Sequence, residues 1–200
     1  MPEPIYLATQ NPHKVAEIQS MIDAQRLQII PAAQLGPVSW EETGTLFQDN
    51  AFIKVQAIAK LTSSMILADD SGLVVPALAG RPGVYSSRFA GEQATDAQNV
   101  DKLLQEMTEF HGSQRRAYFT CVLCFRDLKG QEHFFEGRCW GSIVGEPRGQ
   151  GGFGYDPIFQ PDGLNQTMAE LSATEKNSLS HRRRALDNWL EGLNQLLAEP

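Results

Sequence analysis

Apolar residues change their spacing several times along the chain, and each change marks an element. "IYLAT" is a short strand-type run, and the "QNPHK" that follows carries Asn11 as a helix N-cap and Pro12 at the first helical position. Val15, Ile18 and Ile22 then recur at helical spacing, which predicts strand, turn and helix in succession. "LQII" predicts a second strand. The loop "GPVSWEETG" leads to a helix expected to be capped near Thr45, with Phe47, Ala51, Ile58 and Leu61 on its buried side. "MILADDSGLVV" reads as an apolar strand interrupted by a polar turn.

"ATDAQNVDKLLQEM" predicts a helix, while "RRAYFTCVLCFR" and "EHFFEGRCWGSIVG" predict antiparallel strands turning at "DLKG". The last segment predicts one helix running to the end. Ser172 with Glu175 makes its capping box, and Leu179, Leu186, Leu190, Leu193 and Leu197 its apolar stripe. Alternating strands and helices followed by antiparallel strands give an α/β fold on a mixed β-sheet, with residues 1–200 as a single domain.

"GQGGFGYDP" contains G-x-G-x-x-G at Gly149, Gly151 and Gly154, the spacing of a dinucleotide-binding loop. That motif needs a helix opening at its last glycine. Pro157 disfavours helical geometry at Asp156 and has no N–H to give, so the chain is expected to leave the glycines extended. The run then serves to deliver Phe153, Tyr155 and Asp156 to a surface.

Net charge of −7 over 200 residues argues against a broad phosphate-backbone footprint, so no nucleic-acid partner is expected and an anionic ligand must be met by local cations. The N-terminal residues show neither a signal peptide nor a membrane span, and the cysteine count of three suits a reducing compartment, so a cytoplasmic location is expected. Cys121 and Cys124 form a C-x-x-C. Residues three apart in a strand face opposite ways, and nothing nearby completes a zinc site, so core packing is their expected role.

Four polar clusters carry candidate chemistry. "TQNPHK", from Thr9 to Lys14, places a helix N-terminus and a lysine directly after a strand, which is a phosphate cradle. "ADDSG" puts Asp69 and Asp70 at the carboxyl end of an apolar strand, where alternation turns them to opposite faces, so at most one serves a given metal directly. Glu41 of "WEETG" is a candidate partner acid for Mg²⁺, and Asn50 and Lys54 share a face of the following helix. "FGYD" with Lys176, Ser180, His181 and Arg182 offers an aromatic to stack on a purine and polar groups to read its edge. Read alone, each cluster also has an ordinary explanation as a cap, a turn or a solvated helix face.

Their order is the stronger signal. "LATQNPHK", "EETG" with "DNAFIKV", "ADDSGL", "GVYSSRFAG", "GGFGYDPIF" and "EKNSLSHRRRAL" together resemble the inosine/xanthosine triphosphate pyrophosphatase family, from Ile5 to about Leu186. The resemblance implies an elongated mixed sheet flanked by helices, two lobes with a central nucleotide-binding cleft, and a homodimer. It implies Mg²⁺-dependent release of pyrophosphate from purine nucleoside triphosphates such as ITP, dITP and XTP. Carried over by position, it puts Thr9, Gln10, Asn11, Pro12, His13, Lys14 and Lys54 on the substrate's phosphate side, Glu41 and Asp70 on the metal, and Asp70 as proton acceptor. Ser71 becomes a substrate contact, and Phe153, Gly154, Tyr155, Asp156, Lys176, His181 and Arg182 the base pocket. Gln10 stands where many members have glycine. A metal ligand makes a poor base, so Asp69 or a metal-activated water remain alternative proton acceptors.

Overall fold

The computed structural model describes residues 4–198, with side chains through residue 196. A six-stranded mixed sheet has the order β2-β1-β3-β4-β5-β6. Its strands are β1 (Pro4–Ala8), β2 (Gln28–Pro31), β3 (Met65–Val74), β4 (Arg116–Arg126), β5 (Glu132–Ile143) and β6 (Phe159–Pro161). β1 runs parallel to β2 and β3, whereas β5 and β6 are antiparallel. The helices are α1 (Pro12–Met21), α2 (Phe47–Ile58), α3 (Asp96–Glu106), α4 (Ala173–Leu179) and α5 (His181–Ala198). Among the described residues no helix is long and apolar enough to cross a membrane.

The chain divides into two compact units. The first comprises residues up to Asp70, Cys121–Gly137 and Arg182 onward; the second comprises Ser71–Thr120 and Arg138–His181. In the first unit, strand alternation sorts side chains onto two buried faces. Ile5, Leu7, Leu67, Cys121, Leu123 and Phe125 pack with Ile18 and Ile22 beside Ala185, Leu186, Trp189 and Leu193 of α5. Ala8, Ile66, Ala68 and Cys124 pack on the other face with Ala51, Val55 and Ile58 of α2. Cys121 and Cys124 thus enter different clusters, as strand geometry requires. The second unit has its own core, where Val100 and Leu103 of α3 meet Leu73, Val75, Phe119, Ile143, Tyr155 and Phe159.

The N-cap of α2 falls at Leu46, beside Thr45 as expected, and its N–H donates to the Asp49 carboxylate at 3.2 Å. Other local expectations need correction. Leu61 lies beyond the helix and is 47% exposed. "ADDSG" makes no turn, because β3 continues through it with Asp69 and Asp70 buried and held by cations. After the glycines, Asp156–Ile158 forms a 3-10 turn before β6 instead of extended chain. The C-terminal helix is broken at Ser180, whose ψ of 157° is extended; serine tolerates that cap geometry well. The break divides the leucine stripe. Leu179 joins the second unit's core, while Leu186, Leu190 and Leu193 join the first unit's; the Leu197 side chain lies outside the described residues.

Gly149 has φ of 83°, and a Cβ there would meet the Ala169 carbonyl carbon at 2.3 Å. The obstacle is backbone and cannot rotate away. We expect Gly149→Ala to destabilise the protein by at least about 2 kcal/mol, combining left-handed strain with overpacking. Chemical denaturation checks this, and a change within about 0.5 kcal/mol, as for an ordinary surface substitution, would contradict it.

Candidate functional site

The parallel register pairs Ala8 with Ala68, so β1 ends beside the point where β3 enters its acidic residues. The chain then turns into α1 through Thr9 and Gln10. Thr9 Oγ1 accepts from the Asn11 N–H at 3.2 Å, and Asn11 Oδ1 accepts from the N–H groups of His13 and Lys14 at 2.9 and 3.3 Å. Pro12 occupies the helix start as its fixed φ favours, and Gln10 Nε2 donates to the Val38 carbonyl at 3.2 Å. No acidic residue lies in the first turn of α1, so its positive end is uncompensated from within the helix.

Asp69 and Asp70 face opposite sides of β3. Asp69 lies on the α1 and α5 side, fully buried, with Oδ2 3.0 Å from Lys14 Nζ and accepting from Arg182 Nη2 at 3.1 Å. Arg182 also pairs with Glu17, one turn beyond Lys14 on α1. Burial would raise the Asp69 pKa, but Lys14, Arg182 and Lys54 outweigh it and hold the carboxyl well below the usual range. The same partners leave the Arg182 guanidinium, despite its burial, more firmly protonated than usual.

Asp70 lies on the α2 side and 5% exposed. Its Oδ1 accepts from Lys54 Nζ at 3.0 Å and its Oδ2 from Asn50 Nδ2 at 3.2 Å. Lys54 Nζ also donates to the Asp69 carbonyl at 2.9 Å and pairs with Glu42 at 2.8 Å. Burial pushes the Asp70 pKa up and Glu42 adds to the rise, together exceeding the opposing pull of Lys54 and Lys14. For Lys54, burial acts to lower the pKa, but Asp70, Asp69 and Glu42 more than reverse it. One lysine faces three acids, so it gains more from the cluster than Asp70 does.

Lys54 and Asn50 are therefore buried, not on a solvated helix face. Glu42 and Glu17 were not anticipated. Glu17 was legible as the residue at i+3 from Lys14, whereas nothing in "WEETG" says that Glu42 reaches Lys54 and that Glu41 is exposed.

In the second unit, Asp156 is buried and accepts from Lys176 Nζ at 2.6 Å and from the Phe153 N–H at 2.9 Å. Lys176 Nζ also lies 4.6 Å from the Phe153 ring centroid, a cation–π distance. Gly152 has no room for a Cβ, which would sit 2.0 Å from Asp156 Oδ2. The Gly154 N–H donates to Asp96 at 2.7 Å, and the Tyr155 hydroxyl donates to the Ser86 carbonyl at 2.9 Å. His181 stacks on Phe119 with centroids 4.9 Å apart. Ser71 is half-buried on β3. The candidate base residues Phe153–Asp156 and Lys176 thus form one braced loop, whereas Arg182 spends donors on Asp69 and Glu17 in the first unit.

Fold and site together define an α/β protein with a mixed, helix-flanked sheet and a buried acid–cation centre on β3. The Ham1 family profile matches residues 5–191, and the chain belongs to that family. A dITP/XTP pyrophosphatase of Halalkalibacterium halodurans is 43% identical over 92% of this chain and 97% of its own. One from Bacillus subtilis is 45% identical, covering 90% of this chain and 91% of its own. Among solved structures, a HAM1 protein from Coxiella burnetii matches over 100% of both chains with TM-score 0.86 and 42% identity.

The Asp69 environment has a measurable consequence. Asp69→Asn removes the carboxylate that the buried Arg182 and the half-buried Lys14 share, and should lower unfolding free energy at pH 7 by about 3–5 kcal/mol, the cost of breaking a buried pair. A depressed folded-state pKa contributes stability above the unfolded value of 3.8 that is lost as pH falls. The gap between wild type and variant, measured by urea denaturation, should therefore narrow below about pH 4. Parallel stability curves across that range would contradict the assignment.

Proposed function

We propose that the protein hydrolyses dITP, ITP and XTP to the monophosphate and pyrophosphate in a Mg²⁺-dependent reaction, acting in the cytoplasm as a homodimer. What chiefly supports this is the buried Asp70, held by Lys54 and Asn50 with its pKa raised, in a chain whose dITP/XTP pyrophosphatase relatives match it nearly end to end.

The donor set suits a hard divalent cation. Four carboxylates, Glu17, Glu42, Asp69 and Asp70, meet three cations, Lys14, Lys54 and Arg182, leaving an excess of negative charge. Asp69 Oδ1 is buried and accepts no hydrogen bond. Among the described residues no three metal-ligating side chains converge, but Mg²⁺ commonly takes only one or two carboxylates together with substrate phosphates. Asp70 and an acid of the Glu41–Glu42 loop would hold it, and when bound it supplies phosphate-charge neutralisation and water activation.

The chain's own groups account for the rest. Asp70 also accepts the proton of the water that attacks the α-phosphorus: holding a metal lowers its basicity, but Asp69, kept charged by Lys14 and Arg182, starts far lower. As the bond to the bridging oxygen breaks, Lys14, Lys54 and the α1 N-terminus offset the charge developing on pyrophosphate. Lys14 must then exchange its Asp69 contact for phosphate. Phe153 and the braced loop supply the face on which a purine stacks.

Incubation with dITP, ITP, XTP, GTP and ATP should yield pyrophosphate chiefly from the first three, with activity lost in chelator and restored by Mg²⁺. Asp70→Asn should lower kcat by about 10²–10⁴-fold, the usual contribution of a general base. Orthophosphate as the initial product, equal use of ATP, or full turnover in Asp70→Asn would refute the proposal.

A further inference from the structure

Asn50 is fully buried on α2, and its amide joins two parts of the acid centre. Oδ1 accepts from the Gly44 N–H at 2.8 Å, and Nδ2 donates to Asp70 Oδ2 at 3.2 Å. The neighbours dictate this orientation: a backbone N–H can only donate, and a carboxylate can only accept. The loop is drawn in tightly. A Cβ on Gly44 would lie 2.7 Å from Asn50 Oδ1 and 2.5 Å from Asp49 Cβ. Asp70 is thus gripped from both sides, with Lys54 on Oδ1 and Asn50 on Oδ2, while the same asparagine ties down the loop that brings Glu42 to Lys54.

We infer that Asn50 is a positioning residue for the reaction, fixing the Asp70 carboxylate and the Glu41–Gly44 loop in one geometry through a single amide. The inference rests on the activity proposed above. A group of this kind acts on the chemical step more than on substrate capture, because Asn50 reaches the reaction only through Asp70 and the loop. Misplacing a reacting group by about 1 Å costs on the order of 10²-fold, and outer-shell partners at metal sites are typically worth 10–100-fold.

Two variants test it. Asn50→Ala removes both hydrogen bonds, whereas Asn50→Asp keeps the volume and the acceptor for Gly44 but turns an acceptor toward Asp70. Cooperative melting establishes the fold, and kcat and KM are measured for XTP at saturating Mg²⁺. The expected result is that kcat falls by about 10–100-fold in each folded variant while KM stays within about threefold. A kcat close to wild type, a loss confined to KM, or failure of both variants to fold would each overturn the inference, the last by making Asn50 a structural residue. If only Asn50→Ala fails to fold, Asn50→Asp decides. A wild-type protein that releases no pyrophosphate would instead overturn the proposed activity and this inference with it.

Discussion

The fully buried Asp69 carboxylate, placed in mid-strand, imposes the condition that the centre must meet. A carboxylate out of reach of water is strongly destabilising unless cations meet it at close range. Lys14 from α1 and Arg182 from the start of α5 do so, and Glu17 takes up part of the remaining charge on Arg182. Several features follow from that condition. Asn11 and Pro12 start α1 where Lys14 reaches β3, and the break at Ser180 begins α5 where Arg182 reaches the same oxygen of Asp69.

Neighbouring acids on one strand then acquire opposite characters from the faces they occupy. Asp69 meets two cations and is locked in its charged form. Asp70 shares the one lysine in contact with it, Lys54, with Glu42 and the Asp69 carbonyl, so burial dominates and its hold on a proton strengthens. The strand's twofold alternation creates the difference, since a turn at "ADDSG" would have exposed both groups to water. Lys54 completes the asymmetry by spanning the backbone of one acid and the side chain of the other.

Much of this was legible in the sequence. Asn11 and Pro12 announced α1, Ser172 and Glu175 announced α4, and alternation assigned Cys121 and Cys124 to different faces. The features that escaped are those where tertiary contacts override local preference. Asp, Ser and Gly favour turns, yet β3 runs through them because the two aspartate side chains find buried partners. The fracture at Ser180 interrupts an unbroken leucine stripe because Leu179 and Leu186 belong to different cores. That Glu42 reaches Lys54 depends on how a loop without periodicity turns, and Asn50 holds that turn.

The most direct measurement of the account is a carbon-13 NMR titration of the aspartate side-chain carboxyls in the metal-free protein, with Asp69 and Asp70 assigned from their Asn variants. Asp69 should remain ionised through the acid range in which the fold persists, and Asp70 should take up its proton above the ordinary value of 3.8. Two neighbouring carboxyls titrating together near that ordinary value would contradict it, since the opposite environments on the two faces of β3 would then not exist.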